Sequence, residues 1–163
     1  KVYGVEKESR GYRLPTEAEW EYVARFANKR KPTLFVWGDE YQVEETAGNV
    51  ADKSAENFVR THIAGYNDSF KSVAPAGSFG VEKSGLFDMS GNVSEWVTDV
   101  LSYKIPDKKK VYTDYIGPSR GREHVIKGSN FTSASWTELR ASFKESSDNS
   151  LPEVGFRVAR YIN

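Results

Sequence analysis

Asp88 and Glu95 stand seven residues apart in the run from Gly85 to Trp96, with Ser90, Gly91 and Asn92 between them. Both carboxylates are hard oxygen ligands. The glycine lets the backbone fold back and aim carbonyls inward. Such a loop can wrap a calcium ion with the side chains of Asp88 and Glu95 and the carbonyls of Gly91 and Val93, because calcium accepts six to eight oxygens in irregular geometry. The same spacing also describes a polar turn ahead of a buried Trp96. Spacing alone leaves both readings open.

Much other chemistry is excluded. The chain contains no cysteine, which removes disulfides, thiolate metal sites and cysteine nucleophiles. Lys and Arg together number 23, as do Asp and Glu, and a net charge of zero argues against a general polyanion binder, nucleic acid included. Residues 104–110 and the pair Arg120, Arg122 read as solvated surface. No apolar run approaches the length of a membrane span. A chain of 163 residues fits one domain, and its four Trp, nine Tyr and nine Phe supply large side chains for a sizeable core. Lys1 opens mid-pattern, as in a piece of a longer parent chain.

The elements that position such a loop are few. Thr16-Glu17-Ala18-Glu19 is a capping box, and Trp20, Val23, Ala24 and Ala27 recur at helical spacing. The spacing predicts a helix over about 16–27, closed by Lys29-Arg30-Lys31. Short strands are expected at 95–100, 124–127 and 138–143. The alternation from Gly155 to Tyr161 predicts a half-buried strand. Leu34 to Trp37 is a brief apolar run ended by Gly38-Asp39. Most of 39–80 reads as irregular, so loops make up more than the usual ~40 % of a domain. Bound ions are one candidate for what holds them.

Four segments together resemble the formylglycine-generating enzyme (sulfatase-modifying factor) family. They are Tyr12 to Tyr22, Val36 to Asp39, Gly85 to Trp96 and Gly155 to Arg160, in family order and spanning nearly the whole chain. The resemblance implies an α+β, loop-rich variant of the C-type lectin fold. Only about a dozen residues precede the Arg13-Leu14-Pro15-Thr16-Glu17 motif, so it also implies a C-terminal portion of the full domain. The family's first calcium loop matches Asp88, Gly91, Val93 and Glu95. Its second ion is held by residues matching Asn49 and Asp68 through side chains and Val50 and Phe70 through carbonyls. Asn49 and Asp68 are equally suited to ordinary Asx turns. One or two calcium ions are therefore expected.

The family's oxidase chemistry does not come over. Its two cysteines belong to the segment matching 127–140, where this chain offers Thr132, Ser133 and Ser135. A hydroxyl cannot hold copper(I) as a soft thiolate does, and it lacks a thiolate's redox chemistry. The iron-dependent branch needs a histidine cluster, and only His62 and His124 exist. No copper, iron or organic cofactor is expected. The resemblance places the segment from Gly128 to Pro152 around the substrate groove. Asn130, Ser133, Ser135, Trp136 and Arg140 are the candidate ligand-binding residues there: Trp136 to stack, Arg140 to grip a carboxylate. Equally, Trp136 can be core and Arg140 can pair with Glu21 or Glu95. The expected role is binding of an unidentified protein or small molecule, in an extracytoplasmic (periplasmic or cell-surface) setting where millimolar calcium fills weak sites. Family members of this silent kind include variable receptor-like proteins, secretion-associated lipoproteins and kinase-attached domains. The alternatives are a cysteine-independent enzyme of the pyoverdine-maturation type, with Glu138, Glu145 or Asp148 as base, or an oxidoreductase that has lost its copper/thiol site.

Overall fold

The computed structural model describes residues 11–161 apart from 45, 46, 105, 106, 108, 114, 116 and 119. Three residues of the expected solvated loop at 104–110 thus lie outside the described residues, and the remainder of that loop is exposed.

Helix α1 spans Glu17–Arg25. Thr16 caps it as the sequence dictates: its hydroxyl accepts from Glu19 N, and the Glu19 carboxylate reaches back to Thr16 N at 2.8 Å. Arg13 forks onto the same carboxylate at 2.7 and 2.6 Å. A second cap comes from far along the chain, where Asp99 Oδ2 accepts from Glu17 N at 2.7 Å. A carboxylate at the positive end of the helix dipole is favourable, and this one ties α1 to the central strand.

Four strands make one sheet: β1 Ser94–Val100, β2 His124–Lys127, β3 Lys144–Ser147 and β4 Val154–Phe156. Their order is β3-β2-β1-β4. The β1/β2 and β2/β3 pairs are antiparallel, and β4 runs parallel to β1. Helix α1 packs on this sheet through Trp20 and Ala24, which meet Val36, Met89, Val97, Val125 and Ala141 in one core cluster. Lys127 is fully buried beneath the helix, 3.2 Å from Glu21 and over the Trp20 ring. Burial pulls its ammonium below the ordinary lysine range. A second cluster, Phe35, Val43, Ala47, Val50, Tyr66 and Leu139, lies under the loops.

Two sequence expectations are corrected. Residues 138–143 form turns, and the strand begins only at Lys144. The cause is local: Glu138 Oε2 accepts from Ala134 N, Ser135 N and Ser135 Oγ, while Ser135 Oγ accepts from Glu138 N. Ser135-Trp136-Thr137-Glu138 is itself a capping-box sequence, and it starts a helical turn instead of a strand. The segment 155–161 is regular only to Phe156, followed by one bridge between Ala159 and Arg13. Its alternation is real but inverted. Phe156 and Val158 point outward, while Arg157 turns in toward Glu95.

Candidate functional site

The two loops singled out by their carboxylates cross backbone to backbone. Asn92 N donates to Asn49 O at 2.7 Å. Two glycines permit the approach: a Cβ on Gly48 would sit 1.9 Å from Ser90 O, and one on Gly91 would sit 2.3 Å from Asn49 O. Gly91 also has φ +73°, a backbone region that disfavours any side chain.

At the first loop, Asp88 adopts a left-handed φ of +53°. Its Oδ2 accepts from Gly77 N at 2.6 Å, and its Oδ1 is buried with no donor. Glu95 is buried and already engaged. Arg157 forks onto it through Nε and Nη2, both at 2.6 Å, and Trp20 Nε1 donates at 2.7 Å. Three of roughly four lone-pair positions are therefore taken. Arg157 Nη2 also reaches the Phe87 and Asp88 carbonyls at 3.2 Å. Arg157 thus links the Glu95 carboxylate to the Asp88 main-chain carbonyl, while the Asp88 carboxylate turns to Gly77. A third carboxylate, Glu82, accepts from Met89 N at 2.9 Å and is pushed up to about 7 by burial, with Asp88 adding to the shift.

The second loop has the opposite balance. Val50 N donates to Asp68 Oδ2 at 3.0 Å and Phe70 N to Asp68 Oδ1 at 2.7 Å, so the pairs Asn49-Val50 and Asp68-Phe70 meet in space. Asp68 is pushed up to about 6, first by burial and then by Asp52, against the pull of those two N–H donors. Asp52 is fully buried; it accepts from Asp68 N, Ser54 N and the Ser54 hydroxyl. Phe70 O lies 2.6 Å from the same Ser54 Oγ, so the single hydroxyl proton is shared between Phe70 O and Asp52.

Asn49 is fully buried, and its Oδ1 has no donor. Its orientation is determined by a chain of bonds. Ala74 N can only donate, so the Asn92 atom it meets at 2.8 Å is the oxygen. Asn92 Oδ1 then needs the amide nitrogen of Asn49, which lies 3.2 Å away and also donates to Ser72 O at 2.7 Å. The Asn49 oxygen is left facing elsewhere. Among the described residues, four buried side-chain polar atoms lack a partner: Asn49 Oδ1, Asp88 Oδ1, Ser90 Oγ and Arg13 Nε. Three belong to this crossing, and all three are oxygens. Buried orphans of this kind are rare and ask for an explanation. Their chemistry suits a hard cation.

The expected ligand residues do not converge. Asn130 and Ser133 are buried and engaged with the backbone and each other: Asn130 N donates to Ser133 Oγ at 3.0 Å, and Asn130 Oδ1 accepts from Thr132 N at 2.8 Å. Trp136 is half-buried against Phe35 and Tyr41, with ring centroids 5.6 and 5.4 Å away. Arg140 is exposed and pairs with neither Glu21 nor Glu95, whose partners are Arg25, Lys127 and Arg157. Ser135 alone of the five lines a groove of about 420 Å³, built by Val59, Arg60 and Thr61 from one segment and Thr132, Ala134, Ser135 and Glu138 from the other.

Residues 2–162 match the model of the sulfatase-modifying factor enzyme 1-like domain. The chain belongs to this family. The formylglycine-generating enzyme of Streptomyces coelicolor is 32 % identical over 155 residues, covering 91 % of this chain and 46 % of that protein. The inactive C-alpha-formylglycine-generating enzyme 2 of Bos taurus is 36 % identical over 88 residues, 53 % of this chain and 26 % of that protein. Among solved structures, Treponema denticola variable protein 1 superposes with a TM-score of 0.74 at 22 % identity, covering 95 % of this chain and 49 % of that one. The chain therefore spans about half the length or less of these relatives. The fold is the α+β, loop-rich fold of the sulfatase-modifying factor family. No helix among the described residues is long and apolar enough to cross a membrane.

Residues that sequence reading missed now stand out. Asp52 touches the Asp68 loop, Glu82 and Arg157 the Asp88–Glu95 loop, and Asn92 both. The acidic residue three places after Asn49 was the one local signal available for Asp52. Glu82 bonds Met89 seven residues on, while Asn92 and Arg157 depend on contacts between distant segments.

Proposed function

We propose that this sulfatase-modifying factor domain is a calcium-stabilised binding module without formylglycine-generating activity. One observation carries the calcium reading: the side-chain oxygens of Asn49 and Asp88, the two residues that open the family's loops, are two of the three buried side-chain oxygens left without a partner among the described residues. Asn49, Val50, Asp68 and Phe70 would hold one ion, and Asp88, Gly91, Val93 and Glu95 a second. Calcium supplies the positive charge that Asp52 and Asp68 lack. The Asp88–Glu95 loop already holds the Arg157 guanidinium, so its net negative charge is lower and its site weaker. Weak sites fill where calcium is millimolar, which supports an extracytoplasmic setting.

The absence of cysteine supports the non-oxidase reading. The groove at the segment that carries the family's cysteines offers hydroxyls, Arg60 and Glu138, a surface fit to hydrogen-bond a ligand or protein partner. The inactive relative shows that family membership does not require the oxidase activity.

Thermal melting in calcium and in chelator tests the ion. An upward shift with calcium, and bound metal by elemental analysis, is the expected result. No shift and no metal would overturn it. Incubating the protein with copper(I), oxygen and a cysteine-containing sulfatase peptide should give no aldehyde that a hydrazide probe can trap. Trapped aldehyde would overturn the non-oxidase reading.

A further inference from the structure

The calcium reading treats the two sites separately, but their residues share one hydrogen-bond network. We infer that Asn92 joins the two calcium sites into a single cooperative unit, so that filling either one strengthens the other. The inference rests on the calcium reading and goes beyond it.

Every polar atom of Asn92 is bonded, and two of them, its N–H and its Oδ1, meet Asn49. Its N–H donates to Asn49 O at 2.7 Å, and its carbonyl accepts from Phe131 N at 3.1 Å. Its Oδ1 accepts from Asn49 Nδ2 at 3.2 Å and Ala74 N at 2.8 Å, and its Nδ2 donates to Ala74 O at 3.2 Å. The residue is buried and holds a left-handed φ of +65° between the Gly91 and Val93 carbonyls of one site. Asn49 opens the other. Ser72 and Ala74 continue the segment that carries Asp68 and Phe70, and both enter the network.

Ligation of Asn49 Oδ1 therefore holds the amide whose opposite end donates to Asn92. That bond helps fix the backbone turn that aims the Gly91 and Val93 carbonyls. The same constraints run in reverse when the Asp88 loop is filled first. The glycine crossing allows no slack, because Gly91 and Asn49 are packed closer than any side chain could permit. One ordering of the crossing thus serves two ions. Sharing that cost is the physical basis of positive coupling, and coupling is reciprocal by linkage.

The test is calcium titration by isothermal calorimetry on the protein and on single-site variants. The wild type should bind two ions with a Hill coefficient above one. Asp68→Ala should weaken the ion at Asp88, and Asp88→Ala the ion at the Asn49 loop, by the same factor of ~5 or more. Asn92→Ala should still bind at both loops but with that factor reduced to about one. A purely structural role would lower stability and leave the factor unchanged. Should Asn92→Ala fail to fold at its positive φ, Asn92→Gly removes the same side chain without that strain, and a factor unchanged from wild type in that variant would overturn the inference. Two independent ions would overturn the inference while leaving the calcium reading intact. No bound calcium at all would overturn both.

Discussion

Replacing Arg157 with Met should cost far more than an ordinary surface ion pair. Arg157 leaves 22 % of its side chain exposed, but Glu95 keeps only 7 %. Two 2.6 Å bonds join them, and among the described residues Trp20 Nε1 is the one other donor to this carboxylate. Met fills similar volume without charge, so the substitution leaves a buried carboxylate uncompensated. Breaking a buried pair this way costs about 3–5 kcal/mol. Partial exposure of Arg157 lets water approach and sets the expectation near 3 kcal/mol, toward the lower end of that range. In a domain of this size that lowers Tm by about 6–12 °C. Urea unfolding followed by tryptophan fluorescence, in chelator, measures it without interference from calcium. The double variant Arg157→Met, Glu95→Leu removes the stranded charge and should recover most of the loss, leaving about 1 kcal/mol for the unpaired Trp20 N–H. A single-variant cost under about 1 kcal/mol would refute the buried-pair reasoning. A double variant as unstable as the single would show that the Arg157 bonds to the Phe87 and Asp88 carbonyls matter more than the charge.

Gly91→Ala should destabilise the protein by about 2 kcal/mol or more, because its Cβ would lie 2.3 Å from Asn49 O at a positive φ; the urea midpoint reports this. Glu82 has a folded pKa raised to about 7 from an ordinary 4.5. Its sign is therefore opposite to that of a salt-bridged carboxylate: its contribution is fully present below pH 4.5 and lost as pH rises through about 7. In chelator, Glu82→Gln should flatten this fall and gain about 2–3 kcal/mol at pH 8 relative to wild type, seen in paired urea curves at pH 5 and pH 8. Asp68, raised to about 6, contributes with the same sign, and calcium should reverse its slope by favouring the charged form. Ser135→Ala should remove the local cap that starts the turn before Leu139 and cost about 1 kcal/mol in the same assay.

What could be read without the structure was local. Thr16 and Glu19 lie within one turn, so their capping box was visible as a four-residue pattern and its helix followed. The strands expected at 95–100 and 124–127 match β1 and β2 to within one residue. The capping box at Ser135-Glu138 was equally local, but the stretch 138–143, apolar at Leu139, Ala141 and Phe143, was expected as a strand, and side-chain bonds to the backbone won. Family motifs carried the rest, fold class included.

The sequence by itself determined the α1 helix, the family, the absence of thiol chemistry and the carboxylates of both loops. Only the tertiary structure decided that Arg157 faces inward onto Glu95, that Asp52 and Glu82 join the acidic groups, and that Asn92 bridges the two loops. These contacts link residues from 7 to more than 60 positions apart. Their energies come from burial and from donors with nowhere else to go. A linear spacing holds neither quantity, because both exist only once the chain has closed over the crossing.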